Sequence, residues 1–180
     1  GSNLAGLMFP FLGQQLRGGQ KIDIIGCEPL SCPSFTKGKY AYDHGDMARM
    51  TPLIKMHTLG SDFLPPANHS GGLRYHGMSY HLSHLYDLGL MRAKAYGQKD
   101  CFEAGVMFGK QEGIIPAPEG NHAVKGAIDA ALDCKEKGES KTILFNLCGH
   151  GHFDMTAYDD YFSGRLADDF YDEDTANKSL

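Results

Sequence analysis

A chain of 180 residues, 42% of them hydrophobic, is long enough for one domain with a real core, or for a large piece of one. A formal net charge of -5 argues against the basic face of a nucleic-acid binder, and no apolar stretch approaches the ~20 residues that span a bilayer. The first residues lack the basic stretch of a secretion signal. Cys27, Cys32, Cys101, Cys134 and Cys148 are odd in number and scattered, with no Cys-x-x-Cys pair, so the expected setting is the reducing cytoplasm.

Residues 4–15 read as a helix that opens at Ser2 or Asn3, both N-cap types, and stops at Gly18-Gly19. Residues 22–29 read as a short parallel strand with a turn. The stretch 30–66 reads as irregular, punctuated by Pro33, Gly38, Gly45, Pro52, Gly60, Pro65 and Pro66, and a loop that long points to a binding surface. Helical spacing follows over 78–88, with Gly89 as the stop. A strand is expected at 91–96, a helix at 99–111 ended by Gly113, and a second helix at 118–134 with Val124, Ile128, Ala131 and Leu132 on one face. The apolar run 142–147 reads as a buried parallel strand, and 155–162 as a short helix.

Strands alternating with helices give the α/β class, here a three-layer αβα arrangement with a mainly parallel sheet. Three strands are few for such a sheet, so a partial sheet is expected. The folded part is placed at residues 1–166, and 167–180 at an acidic, polar, frayed tail.

The most telling stretch is Leu147-Cys148-Gly149-His150-Gly151-His152-Phe153-Asp154. Cys148 is the first polar side chain past the apolar run, and open α/β sheets bind ligands at carboxyl strand ends. The alternating Cys148, His150, His152 and Asp154 are ligand types zinc accepts, but glycines interrupt them and no second cluster completes a set, so no metal is assigned.

Three further motifs precede it in order: Gly1-Ser2-Asn3 before an apolar helix containing Phe9-Pro10, Ser70-Gly71-Gly72-Leu73-Arg74-Tyr75-His76-Gly77, and Glu112-Gly113-Ile114-Ile115-Pro116-Ala117-Pro118-Glu119. The series resembles the C-terminal half of a tryptophan synthase β chain, of the second type that does not depend on an α subunit, among the fold-type II pyridoxal-phosphate enzymes. The resemblance runs from Gly1 to about Tyr161.

It implies roles residue by residue. Gly1, Ser2 and Asn3 look like the end of the cofactor's phosphate loop, in keeping with the anion affinity of a helix N-terminus; a plain N-cap or a vector-derived Gly-Ser remains the other reading. Cys148 takes the place where the family carries a small Ser or Thr beside the pyridine nitrogen. A neutral partner there favours β-elimination and replacement, and a thiol bonds more weakly than a hydroxyl; an ordinary buried cysteine is the alternative. Glu119 is expected near the cofactor ring, or else it is a first-turn carboxylate favoured by the helix dipole. Arg74 stands where classical β chains carry Asp and the second type carries Arg. A guanidinium suits an anionic leaving group such as phosphate, and a surface arginine is the other reading. The Gly72 and Leu73 carbonyls match a monovalent-cation site.

No catalytic residue is assigned in this chain. The family's Schiff-base lysine follows Ser-His, and no lysine here does. It is expected in an N-terminal half, with the carboxylate-binding loop and the acid on the indole side. The implied parent is a homodimeric enzyme that condenses indole with L-serine or O-phosphoserine to L-tryptophan, with this chain alone inactive. Another serine or phosphoserine β-eliminase or β-replacement enzyme stays open, as does a non-catalytic or complementing fragment. The isolated chain is expected to self-associate or to need its other half.

Overall fold

The structure, a computed structural model, describes residues 1–171. The greater part of the expected tail, 172–180, lies outside the described residues. The elements run α1 (Ser2–Leu16), β1 (Ile25–Pro29), β2 (Lys39–His44), β3 (Leu53–Thr58), α2 (Tyr80–Asp87), β4 (Arg92–Tyr96), α3 (Gln98–Glu112), α4 (Pro118–Lys137) and α5 (Met155–Phe162).

β1 and β4 form a parallel pair in the register Ile25↔Arg92 to Pro29↔Tyr96. Successive strand residues point to opposite faces, and β1 shows both faces covered. Gly26 lies against Leu4 of α1 and Phe35, while Cys27 lies against Gly126 of α4. The molecule is therefore α/β with helices on both sides of a parallel pair. On the α1 side, Met8 and Leu12, one turn apart, bury with Ile24, Phe35, Leu82 and Met91. On the other side α3 packs on α4, and Phe102 of α3 joins Ala157, Tyr158 and Leu166 in a second core.

All five expected helices form, and glycines close the two longest of the C-terminal half. α3 ends on Gly113 at φ 71° and α4 on Gly138 at φ 65°, left-handed positions where a side chain would be strained. Three expectations need correcting. First, Gly1 rather than Ser2 or Asn3 is the N-cap of α1, with no side-chain cap, because the ladder already starts with Ala5 N–H donating to the Gly1 carbonyl. Second, the supposedly irregular stretch 30–66 contains the antiparallel hairpin β2–β3, from Lys39↔Thr58 to His44↔Leu53. Its connection is ordered by Asp46, whose carboxylate accepts from Met50 N, Thr51 N and Thr51 Oγ1 at 2.6–3.1 Å. Those donors hold the Asp46 carboxyl down at about 2.

Third, residues 142–147 form no strand. No described strand pairs with them, so their backbone joins no ladder. Leu144 is 61% exposed, and Phe145 is held by an edge-on contact with Phe108. Residues 167–171 run past the start of α3: Asp168 accepts from Lys99 N at 3.0 Å, and Tyr171 packs on Phe63.

Candidate functional site

Two turns zip together at the start of α4. Gly151 N donates to Ile115 O at 2.8 Å, Ala117 N donates to Gly149 O at 3.3 Å, and Pro116 bridges His150. Pro118 opens α4, where its missing N–H costs nothing. Glu119 follows in the first turn. A Cβ on Gly120 would lie 3.4 Å from the Cys148 carbonyl, so α4 begins in contact with the Cys148 backbone. Burial and then the Glu119 charge push the Cys148 thiol above its ordinary value, so it is a neutral group at neutral pH. Burial and Glu119 also raise the Asp154 carboxyl, against the opposing pull of His150 and His69.

Glu119 reaches the glycine loop as well. Its Oε1 accepts from Gly72 N at 2.8 Å. That loop is tied down at three more points: Asn68 Nδ2 donates to Ser31 Oγ at 2.7 Å, Cys32 Sγ to Tyr75 O at 2.9 Å, and Arg74 Nη2 to Pro65 O at 2.9 Å. The Arg74 Nε is buried without a partner. Among the described residues Arg74 thus has donor capacity left over, its Nη2 being bonded to backbone.

The third arm is the start of α1. Ser2, Asn3 and Leu4 precede the first intrahelical bond, so their N–H groups point outward at the positive end of the helix. Asn146 Nδ2 donates to the Asn3 carbonyl at 3.2 Å, two residues before Cys148. The structure therefore gathers Ser2, Asn3, Cys148, Glu119 and Gly72 along one connected line. Arg74 is held beside that line by the loop.

This donor set fits a phosphorylated heteroaromatic cofactor: an anion cradle at one end, and a neutral thiol and a carboxylate further along. Among the described residues no group of three or more His, Cys, Asp or Glu side chains is placed to hold a metal ion. An open groove of about 510 Å³ lies elsewhere, lined by Phe9, Tyr40, Tyr42, Lys55, Tyr80 and His84 among others, and includes none of the site residues.

Sequence reasoning missed the ties rather than the tips. Asn146 lies inside the apolar run and looks like a strand residue. Asn121 and Tyr158, which bond to each other behind the two turns while the Tyr158 hydroxyl also donates to the Pro116 carbonyl, look like ordinary helix residues. Only an asparagine on the buried face of α4 offered a signal.

No family model matches the chain. Among curated proteins, it is 57% identical over 166 residues to the tryptophan synthase β chain 2 of Methanosarcina mazei, covering 92% of this chain and 38% of that protein. It is 56% identical over 171 residues to the protein of the same name from Aquifex aeolicus, covering 93% and 39%. It is 49% identical over all 180 residues to the tryptophan synthase β chain of Pyrococcus horikoshii, covering 39% of that protein. The chain spans about 38% of the length of the curated relatives it matches.

Proposed function

We propose that this chain, tryptophan synthase β chain-like and corresponding to the C-terminal portion of such proteins, supplies part of the site of a pyridoxal-phosphate enzyme that joins indole to L-serine or O-phosphoserine, forming L-tryptophan. The observation that carries the reading is the convergence of the α1 N-terminus, Cys148 and the Glu119–Gly72 pair through the Asn146–Asn3 hydrogen bond.

When bound, pyridoxal phosphate supplies an electron-withdrawing ring that eases loss of a group from the β-carbon of an amino acid. The chain's own residues hold and tune it. Backbone N–H groups at Ser2 and Asn3 take the phosphate, with the helix dipole favouring its charge. Cys148, a neutral group, would be the partner of the ring nitrogen and would leave it unprotonated. Glu119 lies near the ring and fixes the glycine loop. Arg74, with its buried unpaired Nε, meets the leaving group of the amino-acid substrate. The Gly72 and Leu73 carbonyls offer a place for a monovalent cation. The Schiff-base lysine and the indole pocket belong to the part of the relatives this chain does not cover, and the full protein works as a cytoplasmic homodimer.

The test is tryptophan formation by the full polypeptide that carries this chain, with either amino-acid donor. Product is expected from the full polypeptide and none from the 180-residue chain by itself. Absence of product from the full polypeptide with both donors, or product from the short chain alone, would sink the reading. Arg74→Ala separates the donors. Losing a charged hydrogen bond is worth about 1.5–3 kcal/mol, so the KM for O-phosphoserine should rise about tenfold or more while that for L-serine barely moves.

A further inference from the structure

Resting on that reading of the site, we propose that Tyr158 is a positioning residue: with Asn121 it clamps the two turns that set Cys148 against Glu119.

Tyr158 belongs to α5 and is not among the residues assigned above to the cofactor or the substrate. Its hydroxyl donates to the Pro116 carbonyl at 2.6 Å and accepts from Asn121 Nδ2 at 3.1 Å. Both side chains are buried, Asn121 completely. Pro116 lies three residues before Glu119, and Asn121 two residues after it. The hydrogen-bond pair therefore brackets the first turn of α4 from behind. The same Pro116 carbonyl borders the other turn: a Cβ on Gly151 would come 2.5 Å from it and 3.0 Å from Tyr158 Cε2. The Gly151–Ile115 and Ala117–Gly149 bonds then carry the constraint to Cys148.

Space for the clamp is made in α3. Gly105 has no side chain where the Asn121 amide sits, since a Cβ there would fall 2.1 Å from Asn121 Oδ1. Phe102, one turn earlier, packs edge-on against the Tyr158 ring at 5.0 Å. Nothing in the zipped turns themselves contributes a side-chain bond to Pro116. Remove the hydroxyl, and the buried carbonyl and amide lose their partner while the aromatic packing stays. Turns 115–118 and 148–151 then separate more often, with α4 and the rest of the fold intact.

The experiment reads Cys148 directly. The full polypeptide and its Tyr158→Phe and Gly151→Ala variants are alkylated with iodoacetamide without cofactor, and modification is followed peptide by peptide. Cys134, half-buried near the last turn of α4, reports general loosening. Tyr158→Phe should speed Cys148 alkylation about tenfold, the factor that 1.4 kcal/mol represents, with Cys134 unchanged. Gly151→Ala, which pushes on the same carbonyl with Tyr158 present, should produce the same selective rise. Pyridoxal-phosphate affinity, measured by equilibrium dialysis, should fall in both. Unchanged Cys148 reactivity, or parallel rises at Cys148 and Cys134, overturns the clamp. A selective rise in a polypeptide that never binds pyridoxal phosphate upholds the clamp and overturns the functional reading instead.

Discussion

His122 sits one helical turn after Pro118, 2% exposed, with its Nδ1 bonded to the Pro118 carbonyl and its Nε2 buried without a partner. Burial lowers its pKa below the usual histidine value, and burial does the same to His57, whose ring stacks on Tyr40 at 4.9 Å. The unfolded chain therefore takes up these protons before the folded one does. Stability from both groups is complete above about pH 6.5 and is lost as pH falls from there toward the folded values, with a slope of up to about 1.4 kcal/mol per pH unit for each. Glu28 has the opposite sign: burial raises its carboxyl despite donors from Phe35 N and Thr36, so its contribution is lost as pH rises from the usual glutamate range. Urea unfolding of wild type and His122→Gln at several pH values isolates one histidine. The variant's curve should be flatter below pH 6.5 by one proton's slope, and identical slopes would contradict a neutral, buried His122. The same contrast explains what the sequence made visible at this scale. Cys148, Glu119 and Gly72 stood out because they lie in the short local motifs that carry the family resemblance. Asn121 and Tyr158 did not, because a buried hydrogen bond between two helices leaves no spacing to count.

Helices were legible because each carries its own stop and an apolar stripe, both local. The hairpin was not, although β2 carries the alternation Tyr40, Ala41, Tyr42, Asp43. Its connection runs from Gly45 to Pro52, closed by the Asp46–Thr51 bonds, and lacks the two-residue turn that announces a tight hairpin. Residues 142–147 failed for the reverse reason. An apolar run states that a segment would pair in a sheet, but not whether a neighbour is present to pair with. Between elements, the tightest fit is α3 against α4, and it depends on Gly105 meeting Asn121. Gly105→Ala should destabilise by about 2–3 kcal/mol through overpacking, lowering Tm by about 5–10 °C at this chain length. A Tm within a degree of wild type would show that the Asn121 side chain has another place to go.

Among the described residues the parallel pair β1–β4 is not extended into a larger sheet, and the molecule also carries an exposed apolar segment. Ile143 is 36%, Leu144 61% and Leu132 57% exposed. Unpaired backbone next to exposed aliphatic side chains promotes association. Sedimentation velocity of the isolated chain should therefore show concentration-dependent oligomers, and Leu144→Lys should reduce them. A monomer across the concentration range would contradict this. The α/β class was readable from the order of elements, and the candidate turns from their local motifs, but the arrangement that joins them is a long-range property. The Asn146–Asn3 hydrogen bond spans 143 positions of the chain. Loop closure of that length carries an entropy cost of about 4 kcal/mol beyond a constant, and contacts so distant in sequence form late. The start of α1 and the Cys148 turn are each local, but the hydrogen bond that joins them forms only once segments 143 positions apart have met. Under the proposed function, ligand capture is then a clock for the closure of this part of the fold: any fault in the intervening chain delays or forfeits it, however far that fault lies from the residues proposed to touch the ligand.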